Sequence, residues 1–303
     1  MSATQSETLP IPVSSPLTNA QKAALINLVR RAAKAEIMPR FRNLASAQVT
    51  TKSGAEDLVT EADHAAEAML SRGLQQMFPH ALIVGEEAAS ADPSLRGKLV
   101  EADLAFILDP VDGTWNFVNG LAMFGVIVSV TRFGKPVYGL LYDPVMDDFI
   151  AAEEDGPAEM TRATGRARPV STSQGGEVDA LSGYMHYYLM DRAAQAQLAP
   201  LLPEFGRTGS LRCSCHEYRM LAQGQADFLL SSTLNPWDHA AGVLIVQRAG
   251  GVVRMLDGRD YNAGIDTGYL LAAPDESSWQ KLHAVLNPRL DPAAEPPKAG
   301  KGD

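Results

Sequence analysis

A short apolar run, Phe106-Ile107-Leu108, opens directly into Asp109-Pro110-Val111-Asp112-Gly113-Thr114. The run reads as a buried strand, so two acids leave the end of one strand together. Pro110 stiffens the turn. Gly113 allows the N–H groups of Gly113 and Thr114 to approach an anion closely where the next segment begins as a helix. Hard dications such as Mg²⁺ prefer oxygen donors and share them with phosphate, so Asp109 and Asp112 are the ligand type expected beside a phosphate seat. Taken alone, Asp-Pro and Asp-Gly more often only punctuate a turn.

Company changes that weighting. Val84-Gly85-Glu86-Glu87 repeats the arrangement, an apolar strand opening through glycine into two acids, and Pro236-Trp237-Asp238 places another acid at a helix start. Each has a bland reading: Glu86 and Glu87 as a solvated pair, Asp238 as a first-turn residue stabilised by the helix dipole. Their joint occurrence at element ends, where α/β active sites gather, favours a shared metal site. The segment Asp57-Leu58-Val59-Thr60-Glu61-Ala62-Asp63 reads equally well as helix capping or as part of that site.

The surrounding pattern predicts an α/β fold. Thr18 caps a helix over residues 19–41, and Thr60 caps a second running to about residue 76. Strands are expected at 81–84 and 104–108, then an antiparallel set from 125 to 152 broken at Gly134-Lys135-Pro136 and Asp143-Pro144. Residues 153–176 lack a sustained period and are expected to connect two lobes. Beyond them strand-like runs (180–184, 228–231, 252–255, 269–272) alternate with helix-like ones (191–202, 215–222, 237–249, 275–286). The predicted division is a tail at 1–18, an α+β lobe at 19–171 carrying most metal ligands, an α/β lobe at 172–287 completing the site, and a disordered tail at 288–303.

At 303 residues the chain is long enough for two lobes, and 46% hydrophobic with 20% charged residues is ordinary for a globular protein. No apolar stretch approaches the roughly 20 residues of a membrane span, and no secretory signal is visible, so no membrane association and a cytoplasmic location are expected. A net charge of -10 without a Lys/Arg cluster argues against nucleic acid as a partner. Cys213 and Cys215, one residue apart, suit neither a disulfide nor a zinc site and read as small buried residues.

Four ordered motifs, Asp57 to Asp63, Gly85-Glu86-Glu87, Asp109 to Thr114 extended by Asn116-Phe117, and Trp237-Asp238 followed by Ala240-Ala241-Gly242, resemble those of the inositol monophosphatase family over residues 19–286. Lys52 also stands where relatives carry a lysine. The resemblance implies an α+β lobe and an α/β lobe stacked as an α-β-α-β-α sandwich, as in the fructose-bisphosphatase-like sugar phosphatases. It also implies Mg²⁺ dependence, lithium sensitivity, a homodimer, and a small phosphate ester as substrate. By motif position, Glu86, Asp109 and the carbonyl of Val111 would hold a first Mg²⁺, Asp109, Asp112 and Asp238 a second, with Glu86 helping a weaker third. Thr114, hydrogen-bonded to Asp63, would orient and deprotonate the attacking water. Gly113 and Thr114 would bind the phosphate.

Departures concern the alcohol half of the substrate. Where the family commonly places a hydroxyl-binding Glu, counting back from Asp238 reaches Ser231, and Arg212-Cys213-Ser214 replaces a usual Gly, then Ser or Thr, then Ala. Asp112, Ser214 and Ser231 are the expected alcohol-side contacts. His216 and Glu217 read as a packed or exposed helix residue and a solvated one. The Gly-rich segment usual before the lobe connection is degraded to Glu154-Asp155-Gly156-Pro157. Bisphosphate-nucleotide, fructose-bisphosphate and histidinol-phosphate phosphatases of the same superfamily are enzymatic alternatives. A haloacid-dehalogenase-type mechanism is disfavoured because Asp109 and Asp112 are three apart rather than two. An alternative of another class is a regulatory module in a transcription or RNA-associated complex, with hydrolysis vestigial.

Overall fold

The structure, a computed structural model, describes residues 16–44, 49–51 and 58–290. Thr18 closes a capping box with Gln21 and starts α1, Asn19–Ala32, which continues as a π-helical segment, Ala33–Ile37. The helical run ends sooner than residue 41 because Pro39 has no N–H and its ring crowds the preceding turn. Strands β1, Val49–Thr51, and β2, Leu58–Thr60, form a small antiparallel pair. Thr60 then caps α2, Glu61–Met77, with Asp63 bonding back to the cap as the sequence pattern predicts.

Next come β3, Leu82–Gly85, the short helices α3, Glu86–Ala91, and α4, Ser94–Gly97, then β4, Ala105–Asp112, and α5, Thr114–Val118. Strands β5, Gly125–Arg132, β6, Lys135–Asp143, and β7, Asp148–Glu153, follow as an antiparallel meander. The supposedly aperiodic stretch 153–176 contributes two further strands, β8, Glu159–Thr161, and β9, Arg168–Pro169. The strands β3 to β9 lie in sequence order in one seven-stranded sheet, parallel only between β3 and β4.

The rest comprises β10, Ser182–Met185, α6, Arg192–Leu198, β11, Arg207–Gly209, α7, Ser214–Ala222, β12, Phe228–Ser231, α8, Pro236–Arg248, β13, Val252–Met255, β14, Leu270–Ala273, and α9, Glu276–Leu290. Its five-stranded sheet has the order β11-β10-β12-β14-β13 and mixes parallel and antiparallel pairs. Pro288 to Leu290, expected in the tail, belong to the last turn of α9, because Leu290 finds apolar cover in the core. The remaining tail residues lie outside the described ones.

Strand alternation builds the layers. In β4, Phe106 and Leu108 face α1 and α2, packing with Leu25, Leu28, Leu70 and Leu74, while Ile107 faces the opposite side. There it meets α7 and α8, which also receive Leu229, Val253 and Ala272 from the five-stranded sheet. The far face of that sheet, with Phe228, Leu230 and Leu271, is covered by α6 and α9 through Leu198, Trp279 and Leu282. The order is therefore α-β-α-β-α. Covered on both sides, α8 is buried continuously from His239 to Val246, which accounts for its nearly all-apolar composition.

Candidate metal centre

Three element ends meet at one point. Strands β3 and β4 run parallel with Gly85 opposite Leu108, so Glu86 and Asp109 emerge side by side. Strand β4 extends further than expected, through Asp112: Pro110 is accommodated at a register shift between Asp109 and Asp112, and the chain turns at Gly113 instead. Helix α8 starts with Pro236 in its first turn, a position where the missing N–H costs nothing, and this delivers Asp238. One carboxylate oxygen from each of Asp109, Asp112 and Asp238 lies within 4.8 Å of the other two.

Such crowding is unfavourable without compensation. Burial, followed by the charges of Glu86, Asp112, Asp238 and Asp63, pushes the Asp109 carboxyl well above the usual carboxylate range. Burial and then Asp238 raise Asp112 to about 7, although the Cys215 N–H and Cys213 thiol pull the other way. Glu86 and Asp63 therefore act on the same site as the triad. The donor set fits a hard dication: all donors are oxygens, and opposite ligands of octahedral Mg²⁺ stand about 4.2 Å apart. Asp109, Asp112 and Asp238 could hold such an ion, with Glu86 bordering it.

Around the triad, several groups fix positions. The Thr114 hydroxyl lies 3.2 Å from Asp63 Oδ1 and 3.0 Å from the Val111 carbonyl oxygen. Asp63 Oδ2 accepts from the Thr60 N–H at 2.9 Å and the Thr60 hydroxyl at 2.5 Å, so the cap of α2 and the threonine of α5 share one carboxylate. The Val111 N–H donates to Asp109 Oδ1 at 3.1 Å. Gly113 has φ +87°, and a Cβ there would stand 2.9 Å from the Met123 carbonyl and 3.1 Å from Cys213 Cβ. Its N–H and that of Thr114 belong to the helix-end groups left without an intrahelical acceptor.

Sequence reasoning passed over Glu67. Its carboxylate accepts from the N–H groups of Glu87 at 2.8 Å and Ala88 at 2.9 Å, capping α3 and fixing where Glu86 starts. A Cβ on Gly85 would collide with it at 2.1 Å, which explains the glycine before the two acids. The available signal was an i, i+4 pair of acids, Asp63 and Glu67, on the otherwise apolar face of α2 with Ala62, Ala66 and Leu70.

On the other side Asp112 receives the N-terminus of α7. Its Oδ1 accepts from the Ser214 N–H at 3.2 Å, and its Oδ2 from the Cys215 N–H and, at 3.1 Å, from the Cys213 thiol. Both cysteines are free and buried, and burial raises their thiol pKa values, so they are packed groups, as expected, and not activated nucleophiles. Ser214 thus touches Asp112 through its backbone. Asn116 Nδ2 donates to the carbonyls of Met123 and Leu211, each at 2.8 Å, tying α5 to the segment before α7.

Ser231 does not join the carboxylate cluster. It is fully buried, with its hydroxyl 3.0 Å from His186 Nδ1 and donating to the Thr233 carbonyl at 3.1 Å. Glu217, expected to be solvated, is instead 0% exposed. Its carboxylate accepts from the Leu211 N–H at 2.7 Å and the Ser210 hydroxyl at 3.0 Å, and lies 2.5 Å from His186 Nε2, so three partners compensate the buried charge. Burial alone would lower the His186 pKa, but the Glu217 carboxylate outweighs it and the net shift is upward. His216 is packed, its Nε2 3.1 Å from the Phe124 carbonyl. Lys52 and Asp57 lie outside the described residues. No helix among the described residues is long and apolar enough to cross a membrane.

Comparison with known proteins agrees with this geometry. The model of the inositol monophosphatase family matches residues 18–292. The chain is 30% identical over 268 residues to "Nus factor SuhB" of Vibrio cholerae, covering 86% of this chain and 94% of that protein. It is 29% identical over 274 residues to "Inositol-1-monophosphatase" of Mesorhizobium japonicum, covering 88% and 98%. Among solved structures, an inositol monophosphatase from Zymomonas mobilis superposes with a TM-score of 0.73 at 24% identity, covering 89% of this chain and all of that one, a likeness of fold.

Proposed function

The chain belongs to the inositol monophosphatase family, a family of phosphomonoester hydrolases, and we propose that it hydrolyses a small phosphate monoester, inositol-1-phosphate-like in kind, with Mg²⁺ as cofactor. The observation that carries this reading is the convergence of Asp109, Asp112 and Asp238 from two element ends far apart in sequence, with ligating oxygens within 4.8 Å. When bound, ions of this type lower the pKa of water and neutralise phosphoryl charge, which an acidic site alone would repel. Two or three ions are proposed, held by Glu86, Asp109, the Val111 carbonyl, Asp112 and Asp238.

The protein's own groups have separate tasks. Thr114 Oγ1 holds the attacking water and takes its proton as its own moves toward Asp63 Oδ1, 3.2 Å away. The N–H groups of Gly113 and Thr114 bind the non-bridging phosphoryl oxygens. Asp112, fastened to α7, keeps the two lobes in register across the site. Phosphate release from a panel of monoesters, with Mg²⁺ and with chelator, tests the reading: Mg²⁺-dependent turnover supports it, and an inert protein across the panel contradicts it.

A second reading has its own support, since a relative at 30% identity is named a Nus factor. In that reading the chain serves a transcription complex and hydrolysis is secondary. Tight binding to transcription machinery by a protein inert toward every ester would favour it.

A further inference from the structure

Arg212 stands in the left-handed region, φ +54°, a conformation that costs any residue with a Cβ and suits glycine. The surrounding bonds impose it. Its N–H donates to Ser210 Oγ at 3.0 Å, Glu217 holds Ser210 and Leu211, and Asn116 holds the Leu211 carbonyl. A glycine would satisfy all of those contacts, because they involve only backbone at this position. The side chain is what the strained conformation retains.

That side chain is gripped by two rings from opposite lobes. The guanidinium carbon lies 4.2 Å from the Trp115 ring centroid and 5.0 Å from that of Tyr188. Trp115 is the neighbour of Thr114, and Tyr188, 39% exposed, sits in the 3-10 turn Tyr187–Leu189 beyond β10. A cation is therefore held between two rings beside a site otherwise built from acids. The nearby Glu217 carboxylate is fully buried and bonded to Ser210, Leu211 and His186.

Resting on the phosphatase reading above, we propose that Arg212 determines specificity by binding an anionic group, a carboxylate or a second phosphate, on the alcohol half of the substrate. Planar guanidinium groups recognise both anions through paired N–H donors. The phosphoryl group to be cleaved occupies the carboxylate and α5 side, which leaves the Arg212 side for the alcohol. Neutral polyol phosphates gain nothing from this contact.

Matched esters test it. Glycerol 3-phosphate and 3-phosphoglycerate differ by one carboxylate, and fructose 1-phosphate and fructose 1,6-bisphosphate differ by one phosphate. Wild type is expected to prefer the more anionic member of at least one pair in kcat/KM by about tenfold or more, mainly through KM, and Arg212→Gly to abolish that preference. Which pair shows it identifies the anion. Glycine suits the backbone here, so the variant is expected to melt no lower than wild type. Mg²⁺-dependent turnover without a preference in either pair, or an unchanged ratio in Arg212→Gly, overturns this inference alone. Absence of turnover on all four esters and on p-nitrophenyl phosphate overturns the phosphatase reading and this inference with it.

Discussion

Asp109 and Glu67 show what single side chains contribute. Asp109 is nearly fully buried among like charges, which stabilises nothing by itself; removing its charge should relieve repulsion in the metal-free protein and cripple the loaded one. Asp109→Asn is thus expected to lower turnover by more than about 10²-fold while its metal-free melting temperature stays equal or rises. Phosphate release and a melt in chelator measure the two halves. Glu67 holds two N–H groups at the start of α3. Glu67→Ala should weaken apparent Mg²⁺ affinity about 10- to 100-fold by releasing the segment that aims Glu86. An unchanged Mg²⁺ titration would show that Glu86 is placed by other contacts.

Between elements, the close approach at Gly113 joins α5 to the segment before α7. Gly113→Ala places a Cβ against the Met123 carbonyl and Cys213 in a positive-φ conformation, and is expected to cost about 1–3 kcal/mol by denaturant titration. A neutral result would mean that the junction yields easily. The elements themselves were legible where a local rule acts alone: Thr60 with Asp63 announced the start of α2, and Phe228 to Ser231 and Val252 to Met255 were found with their observed bounds. They were illegible where partners lie far along the chain. Strand β4 runs on through Pro110 only because β5 pairs with it around a register shift, and β8 forms because β7 offers it an edge, as β8 in turn does for β9. The acids of the site were readable as strand-end and helix-start carboxylates. Glu217 and Ser231 were not, since their burial depends on His186, 31 residues from Glu217 and 45 from Ser231.

Across the whole molecule, the layered sandwich brings the ends of β3 and β4 and the start of α8 to one acidic seam, and its stability should report on that seam. In the unfolded chain Asp109 and Asp112 ionise near the ordinary value of 3.8, whereas in the folded metal-free chain Asp112 ionises at about 7 and Asp109 well above its usual range. The folded state therefore binds more protons between about pH 4 and pH 7. The contribution of these groups is fully present below that window and is lost as pH rises through it. Mg²⁺ has to displace those protons, so its stabilising effect should be larger at pH 8 than at pH 5. Melting temperatures with Mg²⁺ and with chelator at both pH values check this, and equal Mg²⁺ increments at the two would contradict it. The most direct test is an anomalous-difference map from crystals grown with Mn²⁺, a hard-donor substitute for Mg²⁺. The convergence of Asp109, Asp112 and Asp238 predicts a peak bounded by their carboxylates with Glu86 at its edge, and a map featureless there at saturating Mn²⁺ would contradict a metal centre in this protein.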